Sequence, residues 1–435
     1  MFYISRIKLH NVRCFRETTI ELNPYALKPS WTVIVGNNGV GKSTLLRSIA
    51  LGLCDLSGAY TLLGDLYGEW LCEGEKDGYI ELEFAKYGGS KKPKITTTFH
   101  RGESGYTLIE QNTIPEEDFP WDSIFVCGYG AARRTYGTKD YAEYTIPDAV
   151  YTLFNYDTPL QNAELILRRL ESENVSIKDL LRRIDEILML PLGSVRLNYM
   201  RKRGIFVKGP WGVKSLGALA DGYQAMIALM VDILGWLLFY DPNMLKKDKP
   251  IRGIILLDEI EQHLHPRWQQ RILGLLHNTF PHLQLITTTH SPMCTIGTTE
   301  LEDKDCSLVL LTQEDGSVHA IDRQPPPRKK RADQVLTSYL FGLATASDST
   351  IKRDIQRYSQ LLEKRRSKEE ERELIRIKRS LEDVFAGETA LERETTRSIR
   401  EIISKKPNLE KITATTISYE TKRQLRELLK DYDLY

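Results

Sequence analysis

The chain has 435 residues, 27% of them charged and 41% hydrophobic, with a formal net charge of +1. That length is too great for one simple core and suits two or three structural units, or one large α/β domain with insertions, of ordinary globular composition. The near-neutral balance argues neither for nor against a polyanionic partner, because net charge hides local clusters. Six cysteines (Cys14, Cys54, Cys72, Cys127, Cys294 and Cys306) show no CxxC spacing. That pattern suits reduced thiols in a cytoplasm better than a disulfide framework or a zinc site. The start, "MFYISRIKLHNVRCF", alternates like a strand and lacks the apolar core of a signal peptide. The longest apolar run, "AMIALMVDILGWLLFY", is shorter than a bilayer span and carries Asp232, so it reads as a buried helix. A soluble, cytoplasmic protein with no membrane partner is expected.

In chain order, residues 1–23 read as two strands around a turn at "NVRC", followed by the β-rich "WTVIVG" entering a glycine loop. The helix "KSTLLRSIALGL" follows directly. Residues 77–110 alternate between breaks at "YGGSKKP" and "HRGESG", predicting a meander of short antiparallel strands. "SIFVCGYGAARR" is a buried strand ending in a Gly-rich turn and two arginines, Arg133 and Arg134. Residues 157–200 carry helical periodicity. "IRGIILLDEIEQHLHP", "RWQQRILGLLHNTF" and "HLQLITTTHSP" then read as strand, helix and strand, the signature of a parallel sheet layered with helices. "QPPPRKKRADQ" reads as a linker or exposed loop. Beyond it, residues 350–385 are charged and helical, with Ile351, Ile355, Tyr358 and Leu362 in one stripe. A less regular tail ends in "DYDLY", read as a frayed end.

"GNNGVGKS", Gly36 to Ser43, matches the phosphate-binding loop G-x-x-x-x-G-K-[ST] between a β-run and a helix. Its glycines let backbone N–H groups wrap a polyphosphate, and the next helix presents its N-terminus to the anion. Lys42 reaches the β- and γ-phosphates, and Ser43 offers a hydroxyl to Mg²⁺. In "GIILLDEIE" an apolar strand carries Asp258 to the sheet edge, where it orients Mg²⁺, while Glu259 is placed to polarise an attacking water. "LITTTHSP" puts His290 at the end of the next strand, in position for a γ-phosphate. His263 and His265 in "EQHLHP" have the spacing of a metal pair, but no ligand cluster accompanies them and no metal role is expected.

Together, "GNNGVGKS", "LADGYQ", "ILLDEIEQHLHP" and "TTTHSP" resemble the ABC-type ATPases of the SMC/Rad50/RecF branch, and within it the AAA_21-like ATPases of bacterial defence systems that lack a coiled coil. No long heptad array separates the motifs, which excludes a Rad50 or SMC rod. The resemblance implies an α/β fold: an ABC-ATPase head over residues 1–325, with a mixed sheet around the phosphate loop, an antiparallel β subdomain and a helical insertion at about 157–235. A mainly helical assembly or partner-docking region over 326–435 is expected to follow. The resemblance further implies that ATP and Mg²⁺ are bound by Asn37, Asn38, Gly39, Val40, Gly41, Lys42, Ser43 and Thr44, with Ser43 and Asp258 on the metal and Glu259 and His290 catalytic. "EQHLHP" corresponds to the D-loop. The signature, Leu219 to Gln224, is presented in such proteins to the ATP of a second subunit, which makes Gly222 a ligand in trans and the chain a head-to-tail dimer or higher oligomer.

Two departures stand out. Ala220 occupies the place of the signature serine, which puts the rate of hydrolysis in question more than binding. The glutamine of the Q-loop has no counterpart; "CGYGAARRTYG" occupies its place and offers Arg133 and Arg134 to phosphate, DNA, a partner or a strand cap. "RADQVLTSYLFGL" resembles a segment of Septu PtuA-type and retron-associated ATPases, which implies a defence ATPase controlling a nuclease in trans, such as an HNH protein. The alternatives are a RecF/SMC-like repair ATPase that clamps DNA through Arg133, Arg134 and Arg328–Arg331, a transporter subunit, and a platform that binds ATP and barely hydrolyses it.

Overall fold

The strands that carry the site are apolar on both faces, and this sets the architecture. In β3 (Trp31–Gly36), Trp31, Val33 and Val35 point into one core, while Ile34 points into a second. β11 (Gly253–Leu257) and β12 (Leu283–Thr289) divide their residues in the same way: Ile255, Leu257 and Leu285 face one core, Ile254, Leu256 and Ile286 the other. A strand buried on both faces belongs to a parallel sheet covered on both sides. The structure, a computed structural model, describes residues 2–22, 31–64, 70–86, 92–102, 107–116, 119–133, 141–187, 196–200, 204–245, 250–314 and 316–343, then 353–354, 357–358, 360–361 and 367–385. The chain divides into units of residues 1–343 and 344–435.

In the first unit a five-stranded antiparallel sheet runs in the order β2-β1-β4-β5-β6. Its strands are β1 (Phe2–Val12), β2 (Phe15–Glu21), β4 (Asp77–Lys86), β5 (Lys94–Arg101) and β6 (Thr107–Ile114). A six-stranded mixed sheet runs β14-β13-β3-β12-β11-β7, with β7 (Val126–Tyr129), β13 (Cys306–Glu314) and β14 (Ser317–Gln324). All its pairings are parallel except β13–β14. Helix α1 (Lys42–Leu53) packs against β4 through Gly52, where a Cβ would lie 2.9 Å from Leu82. Two short helices, α2 (Leu56–Leu63) and α3 (Ile146–Val150), follow in chain order. The opposite face of the mixed sheet is covered by α6 (Asp221–Tyr240), with α4 (Ala163–Ser172), α5 (Ile177–Ile187) and α7 (Pro266–Thr279) contributing to the same core. Two short helices, α8 (Pro292–Gly297) and α9 (Ala332–Leu336), complete this unit.

The α/β architecture with a separate antiparallel β part matches the expectation, and two boundaries differ from it. The segment expected as a helical insertion over about 157–235 contains a three-stranded antiparallel sheet, β8 (Arg196–Met200), β9 (Gly204–Gly209) and β10 (Gly212–Ser215), in the order β10-β9-β8. Leu197, Ile205 and Val207 bury one side of it, and Gly204 and Gly212 take the positive φ that side chains avoid. The first unit also runs past 325. Pro327 is buried, Arg328 donates to the Thr299 and Leu301 carbonyls, and Val335 and Leu340 are buried. Of the two alternatives for "QPPPRKKRADQ", the exposed loop holds and the linker does not: most of its residues are exposed, while Pro327 and the Arg328 bonds hold it to the first unit.

In the second unit, α10 (Lys368–Phe385) is started by a reciprocal cap in which Ser367 Oγ accepts from Glu370 N and Glu370 Oε2 accepts from Ser367 N. Leu374 and Ile377 bury against Leu361 with Tyr358, and Arg357 pairs with Glu373 at 2.8 Å. Ile351, Ile355, Leu362, Arg134 and all of 386–435, including "DYDLY", lie outside the described residues.

Candidate active site

Four neighbouring parallel strands deliver their C-terminal ends to one edge, the place where open α/β sheets bind ligands. β3 leads into the glycine loop, β12 into His290, β11 into Asp258 and Glu259, and β7 into Arg133. The loop depends on its glycines. A Cβ on Gly36 would lie 2.6 Å from the Leu311 carbonyl oxygen, and one on Gly41 (φ 83°) would lie 2.5 Å from Cys14 Sγ. Gly41 is the N-cap of α1 and supplies no side-chain acceptor, so the first-turn N–H groups remain available to an anion. Asn37, Asn38 and Gly39 are exposed, Val40 is buried, and Ser43 and Thr44 are half-buried. Such a cradle fits a polyphosphate.

Lys42 is buried, and its ammonium donates to the Gly36 and Asn37 carbonyls at 2.7 and 2.8 Å. Burial pulls its pKa down to about 8 against the opposing pull of Asp258, Glu259 and Glu261. It also lies 3.2 Å from His290 Nδ1. An ammonium only donates, so Nδ1 accepts and the ring proton sits on Nε2, 3.9 Å from Glu259 Oε1. Burial, then Lys42, lowers the pKa of His290 and keeps the ring neutral. Burial raises the Glu259 carboxyl, as do Asp258 and Glu261, while Lys42 and Arg133 oppose the rise.

Asp258 is buried, and its Oδ1 accepts from Thr288 Oγ1. The same hydroxyl accepts from Glu259 N at 2.8 Å. Thr288 thus ties the strand holding His290 to both acids, a link between separate strands that no local stretch of sequence carries. A half-buried hydroxyl (Ser43) and a buried carboxylate (Asp258) at the mouth of a phosphate cradle are a fitting donor set for Mg²⁺. Glu261, the first residue of "EQHLHP", accepts from His290 N.

Arg133 turns out to be a support beneath the acids. Only 7% exposed, it donates through Nη2 to the carbonyls of Asp258 and Glu259, the latter at 2.8 Å. Burial lowers its pKa to about 10. Sequence placed it after a buried strand, but not that this strand pairs in parallel with β11, Tyr129 opposite Leu257.

The segment Leu219–Gln224 forms the start of α6 with Ala220 as N-cap and no side-chain cap. Ala220 and Asp221 are exposed, and Gly222 is half-buried. The loop before α7 and the first turn of α7 lie against it: Gly222 meets the His263 carbonyl, and Tyr223 stacks edge-on with Trp268 at 4.6 Å. His263 holds φ 64°, and His265 caps α7 by accepting from Arg267 N. α6 is long and apolar enough to cross a membrane, yet it is mostly buried within the first unit, and Asp232 inside it accepts from Tyr129 and Gln161.

A family model described as "AAA domain" matches residues 6–120, and one described as "AAA domain, putative AbiEii toxin, Type IV TA system" matches residues 227–293. Septu protein PtuA of Bacillus mycoides is 28% identical over 347 residues, covering 78% of this chain and 45% of that protein. The Retron Ec83 probable ATPase of Escherichia coli is 25% identical over 378 residues, covering 66% of this chain and 68% of that protein. Among solved structures, the SMC head domain from Thermotoga maritima aligns with a TM-score of 0.44 and 16% identity, covering 74% of this chain and 99% of that one. The chain is homologous to the PtuA and retron proteins and spans less than half the length of the PtuA relative.

Proposed function

We propose that this chain binds MgATP at the β-sheet edge and hydrolyses it, and that it does so as the ATPase subunit of a cytoplasmic antiphage defence complex. One observation carries the chemistry: Lys42, His290 and Glu259 converge, with Lys42 3.2 Å from His290 and His290 3.9 Å from Glu259. In this reading the Gly36–Thr44 loop holds the phosphates, and Lys42 leaves the Gly36 and Asn37 carbonyls for the β- and γ-phosphates. His290, with its proton on Nε2, donates to the γ-phosphate, and Glu259 takes a proton from the attacking water. Mg²⁺, held by Ser43 and Asp258, supplies charge neutralisation at the phosphates. The exposed start of α6 is presented to the nucleotide of a second copy, so that two chains close head to tail with Gly222 near the partner's γ-phosphate.

The defence role, with a nuclease such as an HNH protein supplied in trans, rests on similarity to Septu PtuA and a retron ATPase. A DNA clamp has less support. Of the basic run, Arg328 is tied to Thr299, Leu301 and Asp303, and Arg331 to Asp333.

The test is nucleotide binding and turnover on three proteins. Wild type turns over ATP, Lys42→Ala loses nucleotide binding, and Glu259→Gln keeps binding, loses turnover at least about 100-fold and accumulates a closed dimer. Turnover unchanged in Glu259→Gln would refute the assignment of the base.

A further inference from the structure

We infer that Arg133 is the positioning residue for Glu259: it locks the backbone of the general base in a left-handed conformation and so aims its carboxylate. This deepens the ATPase reading above and rests on it. Glu259 has φ 46°, a region that non-glycine residues enter only when their surroundings hold them there. Three bonds hold it. Thr288 Oγ1 accepts from Glu259 N, and Arg133 Nη2 donates to the two successive carbonyls of Asp258 and Glu259. A left-handed residue between two peptides turns both carbonyls to one side, and one guanidinium nitrogen meets them there. Flipping the peptide before Glu259 would relieve φ, but it would carry the Asp258 carbonyl away from Arg133 and the Glu259 N–H away from Thr288 Oγ1.

The position of the arginine follows from its strand. Arg133 is buried and sits at the end of β7, whose register against β11 is set by parallel pairing up to Tyr129–Leu257 and by the bond from Asp258 N to the Tyr129 carbonyl. Its charge faces Asp258, Glu261 and Glu259, which offset part of the cost of desolvating the guanidinium. The flip therefore breaks an interaction with a buried charge, which costs more than a neutral hydrogen bond. The carboxylate then stays on the His290 side, 3.9 Å from Nε2. The arginine occupying the Q-loop's place thus acts on the base through its backbone carbonyls.

The experiment compares Arg133→Met, an unbranched but shorter apolar side chain without a donor, and Arg133→Lys, which keeps a cation able to donate to carbonyls. Misaiming a base by about 1 Å costs on the order of 100-fold, so Arg133→Met is expected to lower kcat by about 30- to 100-fold. KM and the affinity for a non-hydrolysable ATP analogue should stay within about threefold, because the loss lies in the transition state. Arg133→Lys should recover at least about a tenth of wild-type kcat. In a Glu259→Gln background, Arg133→Met should change the residual turnover by less than about twofold, since a residue acting only through Glu259 has nothing left to position.

A raised KM with kcat intact would overturn the inference in favour of nucleotide contact. An undiminished loss in the Glu259→Gln background, or Lys no better than Met, would overturn it in favour of another role or of packing. Where Arg133→Met does not fold, recovery of kcat and analogue binding by Arg133→Lys decides. Wild-type protein that binds ATP without turning it over would defeat the ATPase reading and this inference together, whereas normal wild-type turnover with an unimpaired Arg133→Met defeats this inference alone.

Discussion

Gly222 and His263 touch backbone to backbone: a Cβ added to Gly222 would lie 2.5 Å from the His263 carbonyl oxygen. The glycine is needed within its own subunit, whatever it does for a neighbour. In a helix, Gly→Ala ordinarily stabilises by about 0.5–1 kcal/mol. Here the backbone contact reverses the sign. Gly222→Ala is expected to destabilise the protein by about 1–3 kcal/mol, measured by denaturant unfolding. A gain in stability would show that the loop at His263 yields freely.

Ala220 gives a cleaner handle on the α6 start, because its side chain is exposed and clashes with nothing in its own chain. It is an N-cap with extended φ and ψ (−60°, 146°) and no side-chain cap. Ala220→Ser should stabilise by about 0.5–2 kcal/mol by satisfying an orphan N–H. In the head-to-tail reading it should also raise kcat. Ala220→Trp should block turnover by bulk. Mixed with Lys42→Ala chains, each inactive alone, it should recover about a quarter of wild-type activity, because half the dimers contain one intact composite site. No recovery on mixing would sink the trans arrangement.

Thr288 joins the two acids to the strand of His290 through one hydroxyl. Thr288→Val preserves shape and removes that hydroxyl. It leaves Glu259 N without its acceptor and should cost about 1–3 kcal/mol of stability. Turnover should fall about 10- to 100-fold with a higher Mg²⁺ requirement, since the orientation of Asp258 is lost with it. Titration of activity with Mg²⁺ measures both effects.

Asp232 is buried in α6, and burial pushes its pKa up to about 6, against the lowering effect of bonds from Gln161 and Tyr129. A carboxyl raised in the folded state favours folding when protonated. That contribution is complete below the unfolded pKa of about 3.9 and is lost as pH rises through about 6, amounting to roughly 3 kcal/mol. Asp232→Asn should remove this slope, so the stability difference between mutant and wild type should move in the mutant's favour from pH 4 to pH 8. Parallel stability–pH curves for the two proteins would show that folding does not raise the pKa of Asp232.

Local sequence alone settled which short pieces exist. Alternation marked β1, β2 and the meander. A glycine loop between an apolar run and a helix marked the phosphate cradle, and apolar runs ending in "DE" and "TTTH" marked two strand ends. These are properties of neighbouring residues, and spacing encodes them directly. The alternation in 196–215 was equally local but lay hidden between helical periods, so a three-stranded sheet was read as helix. What lies between distant segments needed the folded chain. β7 neighbours β11 across more than a hundred residues, and only that pairing turns Arg133 from a basic residue after a strand into a clamp on Glu259. The meeting of Gly222 with His263, and of Thr288 with Asp258, depends likewise on sheet order and helix packing. Strand order is set by which apolar faces bury together, a sum over the whole core that no single stretch of sequence contains.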